Sequence, residues 1–166
     1  MLKRRNEGRL SEWAPVPLRL IIGYGFMAHG WAKWSKGPEG FGQLLQQIGV
    51  PLPELTAWMV ILLELFGGLA IFAGAFVAVV SVPLVMSMLV AMFTVHLQYG
   101  FSSVNTIGLT KAGPVFGPPG YEVNLLYIAG LLALVMAGGG TWSFDRWLAR
   151  RREMSERPTT PRAPHK

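Results

Sequence analysis

The chain has 166 residues, is 51% hydrophobic and only 14% charged, and carries a formal charge of +6. Most of its Lys and Arg fall in the first few and last twenty residues, beside apolar stretches. That is the pattern of a membrane protein with solvated basic ends, and it argues against nucleic acid as a partner. Cysteine is absent, which excludes an intrinsic disulfide relay, an Fe–S cluster and thiolate catalysis.

Residues 1–16 read as a basic tail, with Lys3, Arg4, Arg5 and Arg9. The apolar run after it has no small-residue cleavage site and holds Arg19, His29 and Lys33. It therefore reads as a retained first helix rather than a signal peptide. Span one is expected from Pro17 to Lys33, opening at a proline as helices commonly do. Arg19, His29 and Lys33 fall within about 80° of one another on its wheel. Arg19 is placed to snorkel to the cytoplasmic headgroups. In the connection 35–54, Phe41, Leu44, Leu45 and Ile48 recur at helical spacing before Gly49 and Pro51. A short helix at the membrane surface is predicted there.

Span two, residues 55–75, contains WMVILLELFGGLAIFAG, an apolar run with Glu64 as its one charge. Charges are expensive in hydrocarbon and usually face a bundle interior. Glu64 shares its face with Ala57, Val60, Gly67, Gly68, Ile71 and Ala75, most of them small enough for another helix to come close. A short apolar join leads to span three, Ala78 to Leu97. Pro83 there removes a backbone donor, and the span closes on His96. Residues 98–121 form a Gly/Pro-rich loop with interleaved aromatics, suited to the headgroup level. Span four runs from Glu122 to Ala137 and stops at Gly138–Gly140. Residues 149–166 read as a basic, Pro-rich, disordered tail.

The expected fold is all-α: a polytopic four-helix membrane bundle over residues 17–148, between tails 1–16 and 149–166, with both termini cytoplasmic. A rise of 1.5 Å per residue puts His29 roughly 18 Å from the inner surface and Glu64 about 14 Å below the outer one, at similar depth. Lys33, His96 and Glu122 come out nearer the outer edge. The candidate substrate site is therefore His29, Lys33, Glu64, His96 and Glu122, with a Glu64–His29 pair at its base and a Glu64–Lys33 pair as the alternative. His96 and Glu122 also suit plain helix ends at the interface. Arg19 and Asp145 are expected to be structural, Asp145 through a charge pair near Arg146 and Arg19.

The succession LRLIIGYGFMAHGWAKW, IGVPLP, ELFGGLAIFAG, a His closing span three, a Glu opening span four and GGGTWSFD resembles the DoxX family of small bacterial and archaeal membrane proteins. The resemblance covers residues 17–148 and implies four helices in the cell membrane. Its recurrent polar positions fall on His29, Lys33, Glu64, His96, Glu122 and Asp145. Members are usually described as candidate oxidoreductases, or as quinol-oxidase and thiosulfate–quinone oxidoreductase subunits, and occur in redox-stress and thiol-homeostasis settings.

A quinone suits an apolar bundle for its ring and tail, with His or Glu at its carbonyl oxygens; a His–Glu pair is a suitable proton acceptor. Haem is disfavoured: His29 and His96 are the available axial ligands, and their heights differ by roughly 9 Å. No metal is expected, since no Glu-x-x-His pair is present. Without cysteine or a cofactor motif, the chain is expected to serve as a quinone-binding or anchoring subunit for a soluble or membrane redox protein. Membrane lipids are its other expected partners, and homo-oligomer formation stays open. The alternatives are a non-enzymatic membrane scaffold and a small transporter or proton pathway.

Overall fold

The computed structural model describes residues 12–155. Residues 1–11 and 156–166, with most of the two basic tails, lie outside the described residues. The fold is mostly helical. Helix α1 spans Pro15–Ser35, with Pro at its first positions. Helix α2, Pro38–Gln47, is the predicted short helix between the first two long ones. Helix α3 covers Pro53–Ala73 and α4 Val77–Tyr99, each long and apolar enough to cross a membrane. Helix α5, Glu122–Ala137, is apolar but shorter.

Two findings correct the all-α expectation and the disordered tail. The 98–121 loop contains an antiparallel hairpin, β1 Thr106–Thr110 and β2 Gly113–Phe116. Helix α6, Phe144–Ser155, occupies the start of the supposed tail. Ser143 supplies its cap: the Arg146 N–H donates to Ser143 Oγ at 3.2 Å, satisfying one of the orphan donors of a helix N-terminus.

Helices α1, α3, α4 and α5 share one core of Ile22, Phe26, Ile71, Val77, Leu84, Leu131 and Leu134. The tightest crossing is between α1 and α3. A Cβ on Gly23 would stand 2.6 Å from the Phe72 nitrogen, and one on Gly68 would stand 2.8 Å from the Gly23 oxygen. Only glycine lets the two backbones meet there, the small-residue packing expected beside Glu64. The outward side chains are apolar, among them Met59, Phe66, Val79, Val82 and Phe93. So large an exposed apolar belt is not a water-facing surface.

Both long apolar helices contain a single π-turn, at Leu63–Gly67 in α3 and at Met92–His96 in α4. Neither follows from a 3.6-residue reading. Such turns occur often at functional sites, because the extra residue re-aims the side chains around it.

Arg19 and Asp145 organise the opposite end of the molecule, in ways that differ from expectation. Arg19 does not snorkel. It is 5% exposed and donates to the carbonyl oxygens of Gly139 at 2.6 Å and Trp142 at 3.1 Å. Those carbonyls belong to the glycine-rich turn after α5, whose backbone acceptors need partners once buried. Among the described residues Asp145 makes no pair with an arginine; Arg146 pairs with Glu12 at 3.0 Å. The Asp145 carboxylate instead accepts the backbone N–H groups of Phe76, at 2.7 Å, and Val77, at 3.2 Å. It caps α4 from a distant part of the chain, where the helix presents orphan donors and the positive end of its dipole. Phe76 has a φ of 50° there, a left-handed conformation rare for a non-glycine residue.

Candidate functional site: a polar-ended cavity between the helices

His29 and Lys33 are one turn apart on α1 and present their side chains on one face. Opposite them, the π-turn of α3 carries Glu64, which is 1% exposed. Lys33 Nζ donates to both Glu64 oxygens, at 2.5 Å each. The carboxylate's partner is thus Lys33, not His29. Lysine's four-carbon stem reaches back along the helix to a carboxylate that Cα heights match with His29. Gly30 makes room for the pair, since a Cβ there would press on the Leu65 nitrogen at 3.0 Å and on Glu64 Cβ at 3.1 Å. The Lys33 ammonium also lies 5.2 Å from the centre of the Phe41 ring on α2, within cation–π range.

His29 stands edge-on to Tyr127 of α5, with ring centres 6.1 Å apart. Tyr127 in turn packs edge-on against Phe26 at 5.0 Å, and its hydroxyl occupies the space a side chain at Gly25 would fill. His96, in the π-turn of α4, shares a 3.0 Å hydrogen bond with the Pro119 oxygen through Nδ1. A carbonyl can only accept, so Nδ1 carries a proton and donates it to Pro119. Asn124, 5% exposed, donates to the Met88 oxygen at 3.4 Å and ties α5 to α4.

These groups surround a cavity of about 550 Å³. Its walls are mainly apolar, with Leu45 from α2, Ile48 just past its end, Val60 from α3 and Met88 and Ala91 from α4. Polar groups are few: His29, Lys33, Glu64, His96, Asn124 and Tyr127 account for most of them. A second, more open groove of about 380 Å³ lies between α1 and α2, sharing His29, Lys33 and Phe41 with the first and adding Lys36.

Four of the five expected site residues therefore line one cavity, and Glu122 does not. Its carboxylate accepts the N–H and hydroxyl of Ser103, at 2.9 and 2.7 Å, and so fastens the hairpin loop to the start of α5. Tyr127 and Asn124 were not anticipated. An asparagine in an otherwise apolar helix was the available signal, since a buried amide needs a partner. Among the described residues, no three His, Asp or Glu side chains converge as a metal site requires.

The sequence profile of the DoxX family matches residues 14–97, just over half of the chain and the part that carries His29, Lys33, Glu64 and His96. The chain belongs to the DoxX family. Its relatives include a Bacillus subtilis protein named "Putative oxidoreductase CatD", 36% identical over 90 residues; the match covers 54% of this chain but 65% of CatD's own length. The uncharacterized membrane protein Rv3486 of Mycobacterium tuberculosis is 28% identical over 145 residues, 82% of each chain. The inner membrane protein YqjF of Escherichia coli is 29% identical over 140 residues, 84% of this chain and 95% of YqjF. No solved structure matches. The two apolar helices and the membrane relatives make this DoxX chain a membrane protein.

Proposed function

We propose that this DoxX protein crosses the cell membrane four times, through α1, α3, α4 and α5, with both ends cytoplasmic. In that frame it binds a quinone in the 550 Å³ cavity and serves as the membrane subunit of a quinone-linked oxidoreductase, or as the anchor of its redox partner. The observation that carries the reading is a Lys33–Glu64 pair, its carboxylate buried and its ammonium partly exposed, set into the wall of a mainly apolar cavity. Ionisable groups inside a membrane commonly mark ligand and proton routes, and a buried pair is weak evidence for stability. The volume falls within the roughly 300–1,000 Å³ of small-molecule sites. One relative also carries an oxidoreductase name.

Lys33 and Tyr127 offer donors for quinone oxygens, while Leu45, Ile48, Val60 and Met88 offer apolar contact for the ring and tail. A bound quinone supplies two-electron, two-proton redox chemistry. The ring nitrogens of His29 and His96 are groups that can accept or donate a proton at the cavity wall. Glu64 fixes the Lys33 ammonium at the polar side of the cavity. Electrons come from a partner, since the chain has no cysteine.

Titration calorimetry of the purified protein with a short-tailed quinone tests binding. His29→Leu or Lys33→Met is expected to weaken it at least tenfold, and Glu122→Gln to leave it unchanged. Equal affinity for all variants would remove the cavity from consideration. Reporter fusions at Lys36, Lys111 and the C-terminus test the topology, with only the last expected to report the cytoplasm.

A further inference from the structure

Helix α6 begins beside the turn where α3 ends and α4 starts. The Asp145 N–H donates to the Gly74 oxygen at 3.1 Å, in the turn between α3 and α4. The Asp145 side chain caps α4 at the same turn. The first turn of α6 is therefore pinned at the membrane boundary of this bundle.

Phe144, Trp147, Leu148 and Arg151 recur at i, i+3, i+4 and i+7 and share one face of α6. Phe144 lies 6.1 Å from the exposed ring of Phe76 and 5.4 Å from Trp147. The Arg151 guanidinium sits 4.2 Å above the Trp147 ring. An aromatic row at the end of two apolar spans matches the headgroup level of a bilayer. The charge beside it is mainly positive, with Glu153 as the one carboxylate directly following Arg150, Arg151 and Arg152. Arg146 is paired with Glu12, but among the described residues Arg150, Arg151 and Arg152 have no carboxylate partner. All three are exposed.

We propose that α6 is an anionic-lipid binding helix, lying on the bilayer surface with Phe144 and Trp147 at the acyl boundary and Arg150, Arg151 and Arg152 on headgroup phosphates. Amphipathic helices with aromatic and basic residues bind this way, and arginine suits phosphate by its planar fork of donors. A soluble acidic partner would use the arginines but would leave the aromatic row, at the level where the spans end, without a role. The proposal is independent of what occupies the cavity.

The test uses the full-length protein. In detergent, phosphatidylglycerol and phosphatidylcholine are titrated and the bound lipids counted by native mass spectrometry. The triple substitution R150Q/R151Q/R152Q is expected to weaken phosphatidylglycerol binding roughly a hundredfold, leaving phosphatidylcholine binding and the melting temperature unchanged. In nanodiscs, trypsin cleavage after Arg150–Arg152 is expected to be slower in an equal mixture of the two lipids than in phosphatidylcholine alone. Retention of phosphatidylglycerol by the triple variant would overturn the proposal. So would equal cleavage rates in the two bilayers, the behaviour of a helix that faces a soluble partner.

Discussion

Removing the Lys33 ammonium is the sharpest perturbation of the site. Lys33→Met keeps most of the stem's volume and deprives Glu64 of its cation. Glu64 is 1% exposed, so almost no water can replace the lost partner. Cutting a buried pair on one side costs about 3–5 kcal/mol. The Lys33 side chain is 26% exposed, which admits some solvent and favours the lower end. Glu64→Gln leaves the ammonium instead, and its partial exposure lets it turn toward water, so the loss is about 1 kcal/mol. The double variant strands neither charge. Its loss should fall about 2 kcal/mol short of the sum of the two singles, within the range for contacting residues. In a detergent melt, roughly 2–4 °C per kcal/mol applies to a chain of this size, so Lys33→Met should lower the midpoint by about 6–12 °C. Additive losses would refute the pairing. The companion cycle of Glu64→Gln with His29→Gln should show a smaller coupling, because His29 contacts Tyr127 rather than the carboxylate.

Three further outcomes follow from the packing. Asp145→Ala uncaps α4 and releases the left-handed Phe76, which should cost about 1–2 kcal/mol in a melt while quinone-analogue affinity stays unchanged. Gly68→Ala forces a Cβ against the α1 backbone and should cost about 1–3 kcal/mol, with no rescue from Gly23→Ala, which adds a second clash. Arg19→Met orphans the Gly139 and Trp142 carbonyls and should lower the melting midpoint by a loss of about 1–3 kcal/mol; an unchanged melt would mean the turn after α5 is held by other contacts.

The long helices were legible because each is bounded by Pro or Gly and is apolar for most of its length. Glu64 was legible as a site because it is a lone charge beside Gly67 and Gly68. Its partner was not. Depth counted at a constant rise matches Cα positions, but a lysine stem spans a helical turn, and the π-turn around Glu64 changes where its carboxylate points. The role of Asp145 was hidden for another reason: it caps a helix 69 residues away in sequence, and no local pattern records that. Helix α6 did leave a local trace, with Ser143 as cap and Phe144, Trp147 and Leu148 at helical spacing, but the run of arginines outweighed it. The hairpin turns on Lys111 and Ala112 rather than on an Asn-Gly pair, so its strands read as loop.

The cavity bounded by His29, Lys33, Glu64 and His96 is proposed to hold a quinone. Photo-crosslinking of the purified protein with a photoreactive quinone analogue, mapped by peptide mass spectrometry, tests it most directly. Quinone binding in the cavity predicts label on the peptides holding His29 to Ile48 and Met88 to His96, displaced by unlabelled quinone. Label confined to outward-facing positions such as Phe66 and Val79, and insensitive to competitor, would contradict it.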